Sequence, residues 1–582
     1  MIIRQQIELT YQSMKKITLL LFVIGILSCQ SQTNSRQPTT NTFENGSNIT
    51  ISNLTPERID NLELLGKIWG FLKYHHPAVA KGTYQWDYEL FAFLPKYLKV
   101  TTNDRDQLLL EWIDGLGEVP ACKKCIPTDP DAQRKPNLDW TTQHQLSISL
   151  KDRLQNIYTN RHQGKQQYVS IKPYIGNAQF AEEPYADATY PDTGYRLLAL
   201  YRYWNIIHYF FPYKHIADKN WDTTLKEYIP LFINAKNELE YEFATIKIIG
   251  DVQDTHATLW EGDDKLKEWK GTNLPSFRMQ FIENQLVVID HYNEALKQEN
   301  NIEIGDIITS VDGQPIDDLI KKLSPVIPVS NTASLHRKLS SILLRSNKDS
   351  INVGVIRNGK KASYQVAVYP REKLNLQQWF DKDKEQRFYF LDHNIGYMSV
   401  KHIEKSDIAS IKKEFINAKG IIIDLRHYPN TYIPYLLGNY FVEEATPFVK
   451  FTIPNKENPG EFKFGEPLSI PTSKQPYTGK VVVLVNENSQ SQSEYTTMAF
   501  QAGVHTTVIG SATAGADGDV SKIDLPGGLV TMISGIGVYY PDGTETQRIG
   551  IVPDIEVTPT IEGIKNGKDE VLEAAKAYIL KY

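Results

Sequence analysis

The sequence has few cysteines, no concentration of positive charge and no apolar run long enough to cross a membrane. Its 582 residues include 3 cysteines, and 63 Lys and Arg against 69 Asp and Glu give a net charge of -6. Without a Lys/Arg-rich tract the chain offers no basic field for nucleic acid, so we expect no such partner. The length exceeds what one hydrophobic core holds and predicts about three or four domains.

The longest apolar run near the N-terminus has the length of a secretory h-region. It covers residues 17–27, follows Lys15 and Lys16, and ends in Leu-Ser-Cys at Cys29. This pattern resembles the bacterial lipoprotein cleavage site, which implies a signal peptide over residues 1–29 and a lipid anchor on Cys29. The alternative is an ordinary secretory signal with a chance cysteine. The lipoprotein pattern predicts a location in the bacterial cell envelope, lipid-anchored in the periplasm or at the outer membrane.

Two further segments of the front half are interpreted without chemistry. Residues 30–53 are rich in Gln, Ser, Thr and Asn and predict a flexible tether. Cys122 and Cys125 form a single C-x-x-C, which is half a zinc site at most. In an exported protein a local disulfide is the plainer expectation. We expect no metal and no cofactor.

An aromatic repeat occupies the region predicted as a helical domain over residues 54–265. Six residues recur at an offset of 135: Trp69, Tyr74, Pro77, Trp86, Asp87 and Pro95 match Trp204, Tyr209, Pro212, Trp221, Asp222 and Pro230. Agreement of six uncommon residue types at one offset indicates a duplicated helical unit. Aromatics at helical spacing favour a packed core over a cofactor site.

Residues 270–372 predict a small β-rich domain. Candidate strands alternate with turn signals, and Asp312-Gly313 is a hairpin turn. Residues 302–316 resemble the PDZ signature, a G-D-x-I strand followed by a D-G turn and a helix. The resemblance implies a module that adds an extended peptide to a sheet edge; the alternative is a β domain that serves only as a spacer.

A buried strand leading into a helix is predicted around Ser491. Residues 481–485 are apolar and mostly valine, which is typical of a buried strand and too short for a buried helix. Polar residues end this run, and an amphipathic segment then extends to Gly503. Ser491 and Glu494 stand at capping-box spacing, so Ser491 is either only the helix N-cap or a reactive serine at the carboxyl edge of a sheet.

From about residue 385 to residue 582 strands and helices alternate, which predicts an α/β domain. The order of its pieces resembles the tail-specific, or C-terminal-processing, serine peptidase family. The resemblance covers about residues 251–582 and rests on motifs at 254–257, 302–316, 395–398, 424–426, 489–494 and 550–557. It implies a crotonase-like α/β core with a mixed sheet, beside the PDZ-like domain and the helical repeat domain. The family's nucleophile matches Ser491, with Ser489 and Ser493 as the fallback positions.

The base is expected to be a histidine. Many family members activate the serine with a lysine, but the matching position here is Ala516, which cannot accept a proton. The tricorn-core branch of the family uses a histidine instead, and the matching residue is His256. Histidine can act as a base near neutral pH. The resemblance also implies an orienting residue ahead of the Gly550 segment, and both Gln547 and Glu545 remain candidates.

The oxyanion hole implied by the resemblance uses backbone N–H groups. One would come from Gln492 and a second from residues 427–430, with Tyr428 as the candidate. Pro429 lies in this turn and has no N–H to donate.

These residues predict a serine endopeptidase that cuts unstructured or C-terminal segments of exported proteins through an acyl-enzyme on Ser491, with His256 as the general base. The alternative is a catalytically inactive relative that binds peptides or another ligand, favoured by Ala516 and Gln547. A metallopeptidase is a distant third, because no H-E-x-x-H motif occurs. The oligomeric state stays open.

Overall fold

The computed structural model describes residues 43–377 and 386–581. The predicted signal peptide, Cys29 and most of the predicted tether lie outside the described residues. Residues 43–53 differ from a free tether, because Ser47 and Ile49 are buried. Asp192 accepts hydrogen bonds from the Ser47 N–H and hydroxyl at 2.6 and 2.5 Å. The packed part of the chain therefore begins before residue 54.

Helices dominate the front half. They are α1 Pro56–His75, α2 Pro77–Ala80, α3 Trp86–Tyr97, α4 Thr102–Asp114, α5 Trp140–Gln143, α6 Ile148–Thr159, α7 Thr193–Phe210, α8 Trp221–Asn234 and α9 Glu238–Gly250. A short antiparallel hairpin, β1 Val169–Ile171 and β2 Ala178–Phe180, lies between α6 and α7. Cys122 and Cys125 form the predicted local disulfide.

The two copies of the aromatic repeat make the same pair of hydrogen bonds. The Trp69 and Trp86 indoles each donate to the other's carbonyl, at 3.3 and 3.0 Å. Trp204 and Trp221 do the same at 2.9 and 3.1 Å. All four rings are buried. The aromatics therefore form the core of this region, as their spacing predicts, and the tryptophan N–H groups find partners inside it.

The middle module is a β sheet with two helices. Its elements are β4 Leu274–Pro275, β5 Phe277–Ile282, β6 Gln285–His291, β7 Ile307–Val311, β8 Gln314–Pro315, α11 Ile316–Leu323, α12 Thr332–Ser340, β9 Ser350–Arg357 and β10 Lys360–Tyr369, preceded by β3 Leu259–Glu261 and α10 Asp264–Lys270. The sheet order is β4-β10-β9-β7-β6-β5, with β8 paired to β7. Strand β5 forms one edge of this sheet, and α12 packs beside it.

A six-stranded sheet forms the centre of the C-terminal region, in the order β11-β12-β13-β17-β18-β22. Its strands are β11 Phe388–Leu391, β12 Ile395–Ser399, β13 Gly420–Asp424, β17 Lys480–Val485, β18 Thr506–Gly510 and β22 Ile555–Glu556. All neighbours are parallel except β11 and β12. Parallel strands have their carboxyl ends at one edge, where open α/β sheets bind ligands.

The remaining elements surround this sheet. The helices are α13 Ile408–Phe415, α14 Pro434–Gly438, α15 Gln492–Gln501, α16 Ile561–Lys565 and α17 Glu570–Lys581; the strands are β14 Thr446–Pro454, β15 Phe462–Phe464, β16 Leu468–Ile470, β19 Val520–Leu525, β20 Leu529–Ser534 and β21 Gly537–Tyr539.

A small sheet connects the helical region with the C-terminal region. Strand β3, from the end of the helical region, pairs with β20, and β20 pairs with β19. Ile523, Leu529 and Ile533 of this sheet belong to the same buried cluster as the aromatic repeat. The helical and C-terminal regions therefore share a core, and the segment just before β3 is held against the C-terminal region.

Candidate active site

Ser491 lies in the turn between β17 and α15 and is the N-cap residue of α15, as its spacing to Glu494 predicts. Its φ of +56° is uncommon for a residue with a side chain and indicates local strain. The Ser491 N–H donates to the Ala516 carbonyl and to the Glu494 carboxylate, both at 3.0 Å. A strained turn from a strand into a helix is a known setting for an exposed nucleophilic serine.

The two fallback serines have other roles. Ser489 and Ser493 are fully buried. The Ser489 hydroxyl donates to the Leu425 carbonyl at 2.8 Å, and the Ser493 hydroxyl donates to the His427 carbonyl at 3.0 Å. Ser491 is only partly buried. Of the three serines, Ser491 is therefore the one placed to meet a substrate.

Glu494 holds the loop over residues 513–518 against the serine turn. Its carboxylate accepts hydrogen bonds from the Thr513 hydroxyl at 2.5 Å and from the N–H groups of Gly515 and Ala516 at 2.8 and 3.1 Å. Burial raises the pKa of Glu494 in spite of these bonds. Ala516 is fully buried. At the position where the family resemblance implies a lysine, the chain supplies backbone groups only.

His256 lies in the loop between α9 and β3. Its Nδ1 atom is 2.9 Å from the Ser534 hydroxyl at the end of β20. The Ser534 hydroxyl in turn donates to Asp254 Oδ1 at 3.1 Å. This order gives a chain of donors from His256 Nδ1–H through Ser534 to the carboxylate. That tautomer leaves Nε2 without a proton, which is the form a general base requires.

Asp254 is a buried carboxylate beside His256 that was not predicted as a site residue from the sequence. It is fully buried, and its Oδ2 accepts the Ser534 N–H at 2.6 Å while its Oδ1 accepts the His256 N–H at 3.0 Å. Oδ1 also lies 3.6 Å from His256 Nδ1. Burial acts to raise the pKa of Asp254, but the hydrogen bonds and charge of His256 outweigh it, so the pKa lies below its ordinary value. The sequence feature that could have indicated Asp254 is its position two residues before His256.

The two residues predicted to orient His256 have different surroundings. The Glu545 carboxylate binds His215 Nε2 at 2.6 Å and also contacts Arg134 and Tyr539. The Gln547 side chain is buried, and neither of its amide atoms has a hydrogen-bond partner among the described residues. The imidazole of His256 is hydrogen-bonded to the Ser534 hydroxyl, and among the described residues neither Glu545 nor Gln547 has a hydrogen bond to it.

The predicted oxyanion donors are the backbone N–H groups of Gln492 and of the 427–430 turn. As the first residue of α15, Gln492 has an N–H without an intrahelical acceptor. The Asn430 N–H donates to the Val400 carbonyl at 3.0 Å, which removes it from the candidates in the 427–430 turn. Tyr428 stays as the second candidate. Burial raises the pKa of Tyr428, and a hydrogen bond between its side chain and that of Ser491 opposes the rise.

Ser491 and His256 are tied to the same loop. Ser491 bonds to the Ala516 carbonyl, and the Thr255 hydroxyl is 3.4 Å from the Ala514 carbonyl. Within residues 43–377 and 386–581 no hydrogen bond joins the Ser491 hydroxyl to the His256 ring. Catalytic hydrogen bonds are often long before substrate binds, so this geometry is compatible with a Ser–His pair.

The described part of the chain lacks both a metal-binding cluster and a membrane-spanning helix. It contains no group of three His, Cys, Asp or Glu side chains arranged to hold a metal ion. It also contains no helix with the length and apolar character of a membrane span.

Solved structures of the protein CPAF have a fold similar to that of this chain. Mature CPAF has the same fold over 67% of this chain and 98% of its own, with a TM-score of 0.52 at 13% identity. The serine-to-alanine variant of CPAF, labelled s499a, gives a TM-score of 0.53 at 14% identity. At these identities the likeness concerns the fold alone, a mixed sheet with helices.

The sequence matches agree with the predicted family. Residues 394–557 match the model of peptidase family S41, which confirms the resemblance to the C-terminal-processing serine peptidases. The chain is 22% identical to a "Probable CtpA-like serine protease" of Staphylococcus epidermidis over 49% of the chain and 53% of the relative. It is 27% identical to a "Carboxy-terminal-processing protease" of Bartonella bacilliformis over 32% of the chain and 43% of the relative. The chain thus spans about half the length of the curated relatives that it matches.

Proposed function

We propose that this protein is a serine endopeptidase with Ser491 as the nucleophile and His256 as the general base. The observation that carries the proposal is that the 513–518 loop is hydrogen-bonded both to Ser491 and to Thr255, the neighbour of His256 in the Asp254–Ser534–His256 hydrogen-bond chain. Each group has a defined chemical role in acyl transfer.

The reaction follows from these positions. The Ser491 hydroxyl oxygen adds to the peptide carbonyl carbon while His256 Nε2 takes its proton. The N–H groups of Gln492 and Tyr428 stabilise the negative oxygen of the tetrahedral intermediate. The C–N bond then breaks, and the leaving amine takes the proton from His256. Water repeats the sequence on the acyl-enzyme and releases the new carboxyl end. Asp254 stabilises the imidazolium formed in each half.

The proposed substrates are unstructured or C-terminal segments of exported polypeptides. The middle module supports this class, because β5 is an edge strand with α12 packed beside it. That pairing is the geometry by which PDZ domains add an extended peptide to a sheet. The Phe281 and His336 rings stack across it at 4.3 Å between centroids. The name of the Bartonella relative is consistent with chain ends as substrates.

The proposed location is the bacterial cell envelope, with a lipid anchor on Cys29. Its support is the signal-like sequence of residues 1–29 together with the disulfide between Cys122 and Cys125, which suits an oxidising compartment. Mass spectrometry of the protein purified from membranes tests it, because an acylated N-terminal peptide beginning at Cys29 is expected. A soluble protein that retains residues 1–28 would contradict it.

The rival function is peptide or ligand binding without cleavage, favoured by the buried Ala516 and by the unpartnered amide of Gln547. A fluorophosphonate probe separates the two. Under the peptidase proposal the probe labels Ser491, labelling is lost in Ser491→Ala, and it falls strongly in His256→Ala. His505→Ala is the matched control, since His505 is well exposed and lies beside Glu443. Absence of labelling in the wild-type protein, or equal labelling in His256→Ala, would favour the binding protein.

A further inference from the structure

The middle module is hydrogen-bonded to the segment that carries His256. Ser330, two residues ahead of α12, makes three hydrogen bonds with Thr255. The Thr255 N–H donates to the Ser330 hydroxyl at 2.8 Å, the Ser330 N–H donates to the Thr255 hydroxyl at 2.9 Å, and the two hydroxyls are 3.0 Å apart. Both residues are buried. This reciprocal pair fixes the backbone next to His256 to the module.

The same part of the module is also hydrogen-bonded to the loop that supports Ser491. The Asn331 amide donates to the Thr513 carbonyl at 2.9 Å, and the Ser334 hydroxyl donates to the Ala514 carbonyl at 2.9 Å. Two residues further on, the Ala516 carbonyl accepts the Ser491 N–H at 3.0 Å. Helix α12 and the turn before it therefore contact both halves of the candidate site.

Lys338 completes the contact with the histidine segment from the last turn of α12. Its ammonium donates to the carbonyl of Thr255 at 3.2 Å and to that of Pro328 at 2.7 Å. The Thr255 carbonyl belongs to the peptide group whose N–H, that of His256, is bound by Asp254 at 3.0 Å. This peptide group is held at its oxygen by Lys338 and at its nitrogen by Asp254.

The environment of Lys338 is unfavourable for a charge that has no such task. Burial, assisted by the charges of Arg337 and Lys270 and opposed by Asp254, lowers the pKa of Lys338 to about 7. A lysine with water access would avoid this cost. The side chain is nevertheless held between two carbonyls.

We infer that Lys338, with Ser334, is a positioning residue that sets the placement of His256 relative to Ser491. Neither side chain touches the reacting atoms in this scheme. They act through the backbone of the two segments that carry them. The inference rests on the proposed function, and it makes the middle module part of the hydrolytic machinery as well as a peptide-binding unit. A misplacement of about 1 Å in such a pair can cost about 10²-fold in rate.

The test uses the full chain with Lys338→Met, Lys338→Arg and Lys321→Met. Lys321 lies on α11 of the same module with its side chain 79% exposed, which makes it the matched control. We expect Lys338→Met to lower kcat and the rate of fluorophosphonate labelling by about 10- to 100-fold with KM nearly unchanged. Lys338→Arg, which keeps the donors, should recover most of the loss, and Lys321→Met should behave as the wild type.

Amide hydrogen exchange at residues 254–258 provides a readout that does not depend on turnover. It should rise in Lys338→Met and stay unchanged in Lys321→Met. An unchanged exchange rate, a wild-type kcat in Lys338→Met, or a loss confined to KM would overturn the positioning role. If Lys338→Met does not fold, Ser334→Ala takes its place, with faster exchange at residues 513–516 and slower labelling expected, and no change in either would overturn the inference. A wild-type protein that never labels would instead overturn the proposed peptidase, and exchange alone would then decide the positioning role.

Discussion

Replacement of Asp254 by asparagine gives the most direct test of how His256 is activated. Asparagine has nearly the same shape, and its amide oxygen in the place of Oδ1 can still accept two of the three hydrogen bonds that the carboxylate takes from His256 and Ser534. It cannot supply the negative charge that stabilises the imidazolium. Because Asp254 is fully buried, water cannot replace that charge.

The size of the effect follows from the distance. At the 3.6 Å between Asp254 Oδ1 and His256 Nδ1, and with an effective dielectric constant of about 20, the attraction between carboxylate and imidazolium is about 4 to 5 kcal/mol. Each 1.36 kcal/mol in an activation barrier corresponds to tenfold in rate, so we expect Asp254→Asn to lower kcat by about 10³-fold. KM should change little, because Asp254 does not face the substrate.

The assay is steady-state cleavage of an unstructured peptide, with the rate of fluorophosphonate labelling as a second measure. Asp264→Asn is the matched control, since this nearby carboxylate is 86% exposed and forms an ion pair with Lys267 at 3.6 Å. A kcat for Asp254→Asn within about threefold of the wild type would refute the reasoning, because a charge worth several kcal/mol cannot be removed from a working base at so small a cost.

Two predictions concern stability. Although burial alone would raise it, Arg426 holds the pKa of Asp424 well below its ordinary value, and a depressed folded-state pKa gives stability that is present above the unfolded value of about 4 and lost as the pH falls below it. Asp424→Asn should therefore lower the free energy of unfolding at pH 7 by about 3 kcal/mol and flatten its acid dependence, measured by urea denaturation at several pH values; an unchanged acid dependence would contradict this. Trp69→Phe and Trp204→Phe each leave a buried carbonyl without its indole donor, so each should cost about 1 to 3 kcal/mol in the same assay, and a cost confined to one copy would argue against equivalent roles.

The local pieces of the site could be predicted because their signals are short-range. The apolar run at 481–485 becomes β17, and the spacing of Ser491 and Glu494 becomes the start of α15. Buried strands and helix caps depend on residues a few positions apart. The same holds for the disulfide between Cys122 and Cys125.

The partner of His256 could not be predicted because it depends on strand pairing between distant segments. Ser534 reaches His256 only because β3 pairs with β20, and no local pattern encodes that pairing. For Gln547 or Glu545 to orient His256, the segment before Gly550 would have to face the imidazole. The chain turns at Arg548, whose φ is +66°, and Glu545 binds His215 instead.

The absence of a lysine at position 516 and the presence of His256 belong to one arrangement. The 513–518 loop has its N–H groups at Gly515 and Ala516 bound to Glu494 and its Ala516 carbonyl bound to Ser491. The backbone of the loop therefore fixes the serine turn without contributing a side chain at Ala516. The proton acceptor can then come from another segment, provided that segment is held rigidly. Strand β3, the Thr255–Ser330 pair and the buried Asp254 supply that rigidity. Under the proposed function, they are what allows a histidine far away in the sequence to act on Ser491.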